Sequence, residues 1–391
     1  LAVALATGSD LSALASRART VGRFGIDTEF IGEGRYRTLL CLIQVVVSDA
    51  AGTDVLVLDP LDPQLELAPL GEILANPAIE VVMHAGRQDV ALLRRQFGGE
   101  VRSLFDTQVA AGFAGLSAQA GYDTLLRELL DVRLHKSASY TRWDKRPLTA
   151  EQIGYAREDV LHLLELTTEL QRRLAASGRL EWAREECRAL EQSSDDRDID
   201  AIFARLPRIN SLKPAARAIA RELVEWREDV AARQDRPVST VLNDSALVEL
   251  AKRRPASFAE LESIRGVNPG SLRRRGEELL AAIERGRGRP PIPAERSQHD
   301  AASPLDAPLI ALAEALVRGR AADAGMAYEL IAARADLAQI VARSRIGRDE
   351  ADVRTLRGWR REVVGNELLE LLAGRRALAV SPDSRLTITD A

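Results

Sequence analysis

The sequence predicts an α/β first domain, a mixed sheet flanked by helices, followed by two all-α helical domains. Three observations carry that prediction. Strand-like runs crowd the first 60 residues or so and then alternate with helical ones, the order expected of a mixed sheet packed between helices. Leu39-Leu40-Cys41-Leu42-Ile43-Gln44-Val45-Val46-Val47 is an almost unbroken apolar, β-branched run, as a central strand covered on both faces requires. Beyond residue 205 only helical spacing recurs.

The chain has 391 residues, too many for one core. Polar, acidic residues around Ser193-Ser194-Asp195-Asp196 mark one linker, and the Gly-, Arg- and Pro-rich stretch 286–304 marks a second. The expected domains are therefore residues 1–190, 205–288 and 305–391. Hydrophobic residues make up 46% and charged residues 29%, which excludes global disorder. The two cysteines, Cys41 and Cys187, are far apart, which excludes a disulfide framework and a cysteine-based zinc site. A reducing cytoplasm is the expected home. No apolar run approaches a membrane span. The net charge of −4 divides unevenly: −9 over residues 1–204, +5 over 205–300 and 0 over 301–391. That split assigns different work to the first and middle domains.

The elements follow in order. Leu1–Ala6 reads as a first strand, with Asp10 capping a helix from Leu11. Gly22–Phe30, Leu39–Val47 and Val55–Leu58 read as strands, separated by turns at Gly32-Glu33-Gly34 and Asp49-Ala50-Ala51-Gly52. From Gln64 the spacing of Leu65, Leu67, Leu70, Ile73 and Leu74 is helical, and Asn76-Pro77 stops it. Ile79–His84 is a strand, and Gln88–Phe97 a helix ended by Gly98-Gly99. Helices then dominate, around Asp106–Gly115, Tyr122–Leu130 and Thr149–Leu174, the last started by Thr149 with Glu151-Gln152. In the middle domain Ala216, Ile219, Leu223 and Trp226 form one stripe. Leu- and Ala-rich periodicity continues through residues 305–391.

Strand residues i and i+2 share a face, so Asp27 and Glu29 project side by side from Phe24-Gly25-Ile26-Asp27-Thr28-Glu29-Phe30, a strand otherwise dressed for burial. Two like charges so placed repel, and desolvating either is costly. A bridging cation offsets both costs. For this pair alone, a solvated strand end is the alternative. Asp89 opens a helix just after a strand, where ordinary capping also puts an Asp. Tyr155 and Asp159 stand four apart on a helix and share a face, while Glu158 points elsewhere. Four converging carboxylates make a site for hard, oxygen-loving divalent ions. Two such ions about 4 Å apart stabilise the attacking and leaving oxygens of an in-line phosphoryl displacement. A Tyr hydroxyl beside a ligand Asp can orient or deprotonate the attacking water. A tyrosine packed in the core is the competing reading.

Together these segments resemble the DEDD superfamily of 3′-to-5′ exonucleases, in the subgroup with Tyr in its third motif, and within it the ribonuclease D family. The matching residues are Ile26-Asp27-Thr28-Glu29-Phe30, Leu40-Cys41-Leu42-Ile43-Gln44, His84-Ala85 through Asp89, Phe105-Asp106-Thr107, Arg146-Pro147-Leu148-Thr149 and Tyr155 through Asp159. They run in order through most of residues 20–170. The resemblance implies a ribonuclease H-like sheet and metal-dependent hydrolysis of a single-stranded RNA 3′ end, one nucleotide at a time. It implies that Asp27, Glu29, Asp89 and Asp159 hold two divalent ions, Mg²⁺ or Mn²⁺, that Tyr155 positions the water, and that Thr28, Gln44 and His84 line the nucleotide pocket. Substrates implied are transfer RNA precursors and other structured RNAs.

Residues 210–285 resemble the HRDC-type helical domain shared by RecQ-type helicases and ribonuclease D. The resemblance rests on Arg221 through Arg227, Asp235-Arg236-Pro237, Leu242-Asn243-Asp244, Leu250 through Pro255 and Ile264-Arg265-Gly266-Val267. In the family this module helps hold nucleic acid. Lys252, Arg253, Arg254 and Arg273-Arg274-Arg275 suit phosphates, or else merely solvate helix faces. Residues 305–391 fit the family's second helical domain through Leu356 to Gly365. No Gly-x-x-x-x-Gly-Lys-Ser/Thr phosphate loop occurs, which excludes a helicase. No membrane partner and no nucleotide cofactor are expected. A monomer is expected. The alternatives are a DNA exonuclease on the same fold and a catalytically silent RNA-binding scaffold.

Overall fold

A computed structural model describes residues 5–134, 142–264, 266–267, 269–294, 306–347, 350–383 and 385–391. Leu1–Ala4 and Arg265 of the sequence expectations lie outside these residues. The chain divides into two compact units. The first comprises Leu1–Glu29, Cys41–Ser194 and His299–Ala391, and the second Phe30–Leu40 and Asp195–Gln298.

The first unit is built on a five-stranded sheet of β1 (Arg23–Ile31), β2 (Leu39–Asp49), β3 (Gly52–Leu58), β4 (Glu80–Met83) and β5 (Leu104–Asp106), in the order β3-β2-β1-β4-β5. β2 and β3 form an antiparallel hairpin closed by the Asp49–Gly52 pair. β4 runs parallel to both β1 and β5, with Gly25 beside Val82 and Val82 beside Phe105. β2 is buried from Leu40 to Val47, as its unbroken apolar run requires. The mixed sheet expected from the sequence is present.

Local differences have local causes. Leu5–Thr7 is not a strand. Thr7 is the N-cap of the Gly8–Val21 helix, and Asp10 is the reciprocal partner in its capping box rather than the cap. The helix expected from Gln64 begins at Ala68, behind a proline in its first turn. The expected Thr149–Leu174 helix is two helices, Ala150–Leu161 and Leu163–Ala176, broken at His162. β5 is only three residues long, too short to leave a period.

The C-terminal helices share one core with the sheet's own helices. Phe105, Phe113, Leu166, Leu170 and Leu174 pack in a cluster with Leu316, Val317, Ile331, Trp359 and Leu368. Trp359 stacks on Trp182 at 5.3 Å and meets Phe113 edge-on at 5.1 Å. At Gly112 the two layers approach closely: an added Cβ would stand 2.8 Å from Leu330 Cδ1. Buried Arg360 spans the seam, donating to the Leu330 carbonyl at 2.7 Å and pairing with Glu186 at 2.6 Å. After the Asn366–Leu372 helix the chain ends in an antiparallel hairpin, β6 (Arg376–Val380) and β7 (Leu386–Asp390), that helical spacing did not announce.

The second unit is helical. Its centre is the 21-residue Pro214–Gln234 helix, whose Ile219, Leu223 and Trp226 stripe packs with Leu247, Leu250, Leu261 and Ile283. Arg227, almost fully buried, donates to the Leu242 carbonyl at 3.1 Å and pairs with Asp244 at 2.5 Å. Asn243 caps the Asp244–Arg253 helix. Among the described residues no helix is long and apolar enough to cross a membrane.

Candidate active site

The acids gather at the carboxyl ends of the parallel strands β1 and β4. In β1, Phe24 and Ile26 are buried on one face, which turns Gly25, Asp27 and Glu29 to the other. Gly25 is required by close approach: a Cβ there would lie 2.7 Å from Val46 Cγ1 and 3.1 Å from Leu163 Cδ2. The bare backbone lets the Leu163–Ala176 helix settle on the sheet. That contact brings the preceding helix, and with it Asp159, toward Asp27.

The Ala150–Leu161 helix starts where its capping box dictates. Thr149 Oγ1 accepts from the Gln152 amide at 3.2 Å, and Gln152 Oε1 accepts from the Thr149 amide at 3.0 Å. Ile153, Ala156 and Val160 are buried, so Tyr155 and Asp159 lie together along the helix's flank. Arg157 donates to the Val55 carbonyl at 2.6 Å, tying the helix to β3. The Tyr155 ring tilts against buried Trp143 at 6.1 Å.

Asp89 sits in the first turn of the Arg87–Phe97 helix, buried, and accepts a short hydrogen bond from the Thr28 hydroxyl. The turn leading to it is held by Asp106, which accepts from the amides of Ala85 at 3.2 Å and Gly86 at 2.8 Å. Ala85 adopts φ +54°, a conformation costly to L residues unless the surroundings enforce it. Asp106 also caps its own helix at Gln108 and Val109.

The electrostatics follow from burial and crowding of like charge. Burial raises the Asp27 carboxyl well above its ordinary range, and Asp89, Asp159 and Glu29 push it further. Burial, then Asp159 and Asp89, lift Glu29 from 4.5 to about 8. Asp159 rises to about 7 through burial and Glu158. Asp89 rises only to about 6, because the Thr28 hydrogen bond opposes the cost of burial. The Tyr155 hydroxyl is pushed up to about 12 by burial and by Asp159, Glu29 and Asp27. The four acids thus face one another across three chain segments. Among the described residues no three His, Cys, Asp or Glu side chains stand close enough to hold one ion.

The residues expected to line a nucleotide pocket lie mostly behind the acids. Thr28 is buried and spent on Asp89. Gln44 is fully buried in β2, and among the described residues neither of its amide atoms has a hydrogen-bond partner. His84 is tied inward, its Nδ1 2.9 Å from Thr107 Oγ1 and its ring 5.6 Å from that of Tyr122. Burial lowers its pKa, which favours the neutral imidazole.

A family profile described as a 3′-5′ exonuclease matches residues 3–175, and an HRDC domain profile matches residues 216–283. Ribonuclease D of Granulibacter bethesdensis is 38% identical over 95% of this chain and 92% of its own length. Ribonuclease D of Gluconacetobacter diazotrophicus is 35% identical over 97% and 94%. The chain belongs to the ribonuclease D family. It is a 3′-to-5′ exoribonuclease that acts on RNA and depends on divalent metal ions. Among solved structures, it is similar to Escherichia coli RNase D, described as an exoribonuclease involved in structured RNA processing. That match has a TM-score of 0.80 and 28% identity over 94% of this chain and 98% of that one. The catalytic core of RRP6 from Trypanosoma brucei aligns at a TM-score of 0.55 and 25% identity over 72% and 78%.

Two supports of this ribonuclease D-family site escaped residue-by-residue reading. Arg146 forks onto Asp59 at 2.5 and 2.6 Å and donates to the Cys41 carbonyl at 2.9 Å, bolting the entry of the Ala150–Leu161 helix to the sheet. Asp106 sets the turn before Asp89. Asp106 stood in the Phe105-Asp106-Thr107 match and read locally as a helix cap. Arg146 stood in the Arg146-Pro147-Leu148-Thr149 match without a role, since its partner lies 87 residues away.

Proposed function

We propose that Asp27, Glu29, Asp89 and Asp159 hold two divalent cations, Mg²⁺ or Mn²⁺. On this reading the chain hydrolyses single-stranded RNA 3′ ends one nucleotide at a time, trimming transfer RNA and other structured RNA precursors. The observation that carries the reading is convergence: carboxylates from three segments are withdrawn from water together, and Asp89 and Asp159 push up the pKa of Asp27 and Glu29. Such a set disfavours its own full ionisation, and hard cations relieve that, so the donor set fits the ions. When bound, the cations supply positive charge to the scissile phosphate and its attacking water.

The chain's own side chains do the rest. Thr28 holds one Asp89 oxygen, which leaves the other to turn outward. Tyr155, with its pKa at about 12, keeps its proton at neutral pH, so it orients the water by hydrogen bonding rather than by removing a proton. Trp143 limits the swing of its ring. Thr28, Gln44 and His84 act from behind the acids.

Residues 1–190 carry the chemistry, 205–288 hold the nucleic acid, and 305–391 brace the catalytic body through the shared core. One chain supplies all four acids, so a monomer suffices. Both cysteines are buried, in keeping with a reducing cytoplasm. The test combines calorimetry and turnover. Mn²⁺ titration should give two bound ions, and Asp27→Asn should lose at least one. With Mn²⁺, end-labelled RNA should shorten stepwise from its 3′ end, faster than DNA of equal length. Equal loss of both polymers would favour a DNA exonuclease, and no shortening would favour a silent scaffold.

A further inference from the structure

One side of the second unit carries a groove of about 810 Å³. Arg208, Ser211 and Lys213, ahead of the Pro214–Gln234 helix, form one wall, and Ser245, Lys252 and Arg254 form the other. All four cationic residues are exposed, and none forms an ion pair among the described residues. Glu249, the acid in the lining, is already engaged by Arg253 at 2.6 Å. The groove is therefore a concentration of uncompensated positive charge.

Two of the cations are held at a cost. Arg208 has φ +58° and Arg254 φ +55°, both in the left-handed region where glycine is at ease and other L residues are not. Arg254 ends the Asp244–Arg253 helix, at a position glycine commonly fills. Two arginines in glycine's conformation, facing one groove, point to a use for their side chains.

We propose that this groove grips the base-paired body of the RNA substrate by its phosphates. The proposal rests on the exoribonuclease reading, which makes RNA the polyanion at hand. Among the described residues no aromatic ring lines the groove, so unpaired bases have nothing to stack on. Paired RNA turns phosphates and 2′-hydroxyls outward at fixed spacing. Four cations and the Ser245 hydroxyl match that chemistry without reading sequence, while Ser211 Oγ donates to the Arg208 carbonyl at 2.7 Å.

The test uses the full chain in EDTA, with fluorescence anisotropy on an RNA hairpin and on a single strand of equal length. Arg208→Gly/Arg254→Gly should leave Tm unlowered, since glycine suits both backbones. It should weaken hairpin binding by about tenfold and reduce the logarithmic salt slope by about two. The single strand should lose about twofold or less. Lys252→Gln, on an undisturbed helix, should weaken hairpin binding in the same sense. Unchanged hairpin affinity in both variants would overturn the groove. Equal losses for hairpin and single strand would overturn its preference for paired RNA, and displacement of the hairpin by polyglutamate of matched charge would overturn its preference for nucleic acid. An unaltered protein that binds the hairpin but never shortens RNA with Mn²⁺ would overturn the nuclease reading and leave the groove standing.

Discussion

The two helical regions begin alike and keep different company. In the second unit, Pro214–Gln234 is followed after three residues by the short Val238–Val241 helix, and after two more by Asp244–Arg253. In the C-terminal region, Asp306–Ala324, Tyr328–Ile331 and Arg334–Arg345 repeat that succession with the same gaps. The first set buries its apolar stripe within its own unit. The second spends its stripe on the helices that back the catalytic sheet. Charge divides with burial: the middle region is net positive and the C-terminal one neutral. A succession of elements therefore sets the local scaffold, and the residues on its outer face decide whether it braces an enzyme or meets a polyanion.

Four expectations can break or sharpen this contrast. The largest concerns the body that the C-terminal helices brace. Asp27→Asn should drop RNA turnover to background while the metal-free protein melts no lower, because one of several repelling buried charges is gone. Retained turnover in a pure sample would end the metal-site reading.

Trp359→Ala should cost the catalytic body about 3–5 kcal/mol, since the indole packs between Trp182 and Phe113. Trp226→Ala, buried in the other unit, should lower a separate melting transition. If calorimetry finds one transition that both variants lower alike, the two regions are not energetically distinct.

Tyr155→Phe should slow turnover by about a hundredfold without loosening Mn²⁺. An equal fall in metal affinity, read by calorimetry, would make Tyr155 a ligand rather than a water-orienting group.

The smallest effect is one of pH. Glu29 and Asp159, with pKa values at about 8 and about 7, keep protons in the folded metal-free protein that an unfolded chain sheds above about pH 4. The folded state binds more protons across that window, so its stability is greatest below it and declines as pH rises through about 8. The Tm of the catalytic body should follow this course in EDTA, and added Mg²⁺ should raise it more at the alkaline end. A flat profile would mean that the acids do not repel as argued.

Sequence disclosed what obeys short-range rules. Asp27 with Glu29 follows the two-residue period of a strand, and Tyr155 with Asp159 the four-residue step of a helix. The Thr149–Gln152 box follows side-chain reach. It did not disclose what depends on distant partners. Gln44 reads as a polar residue near a site, and only the sheet reveals that it is sealed. β5 and the break at His162 are too brief to alter a periodic pattern. The Leu- and Ala-rich C-terminal helices have apolar faces whose destination no local spacing encodes.

Trp359 and Phe113 are separated by 246 positions, with the Asp195–Gln298 part of the second unit between them in the chain. A ribosome delivers the sheet and all four acids long before it delivers the helices that finish their support. Until then Phe113 and Leu170 lack their packing against the C-terminal helices, and the nascent nuclease is expected to stay loose while it is surrounded by RNA. Release of the last helices would close the core, so the order of synthesis itself delays the enzyme's maturity.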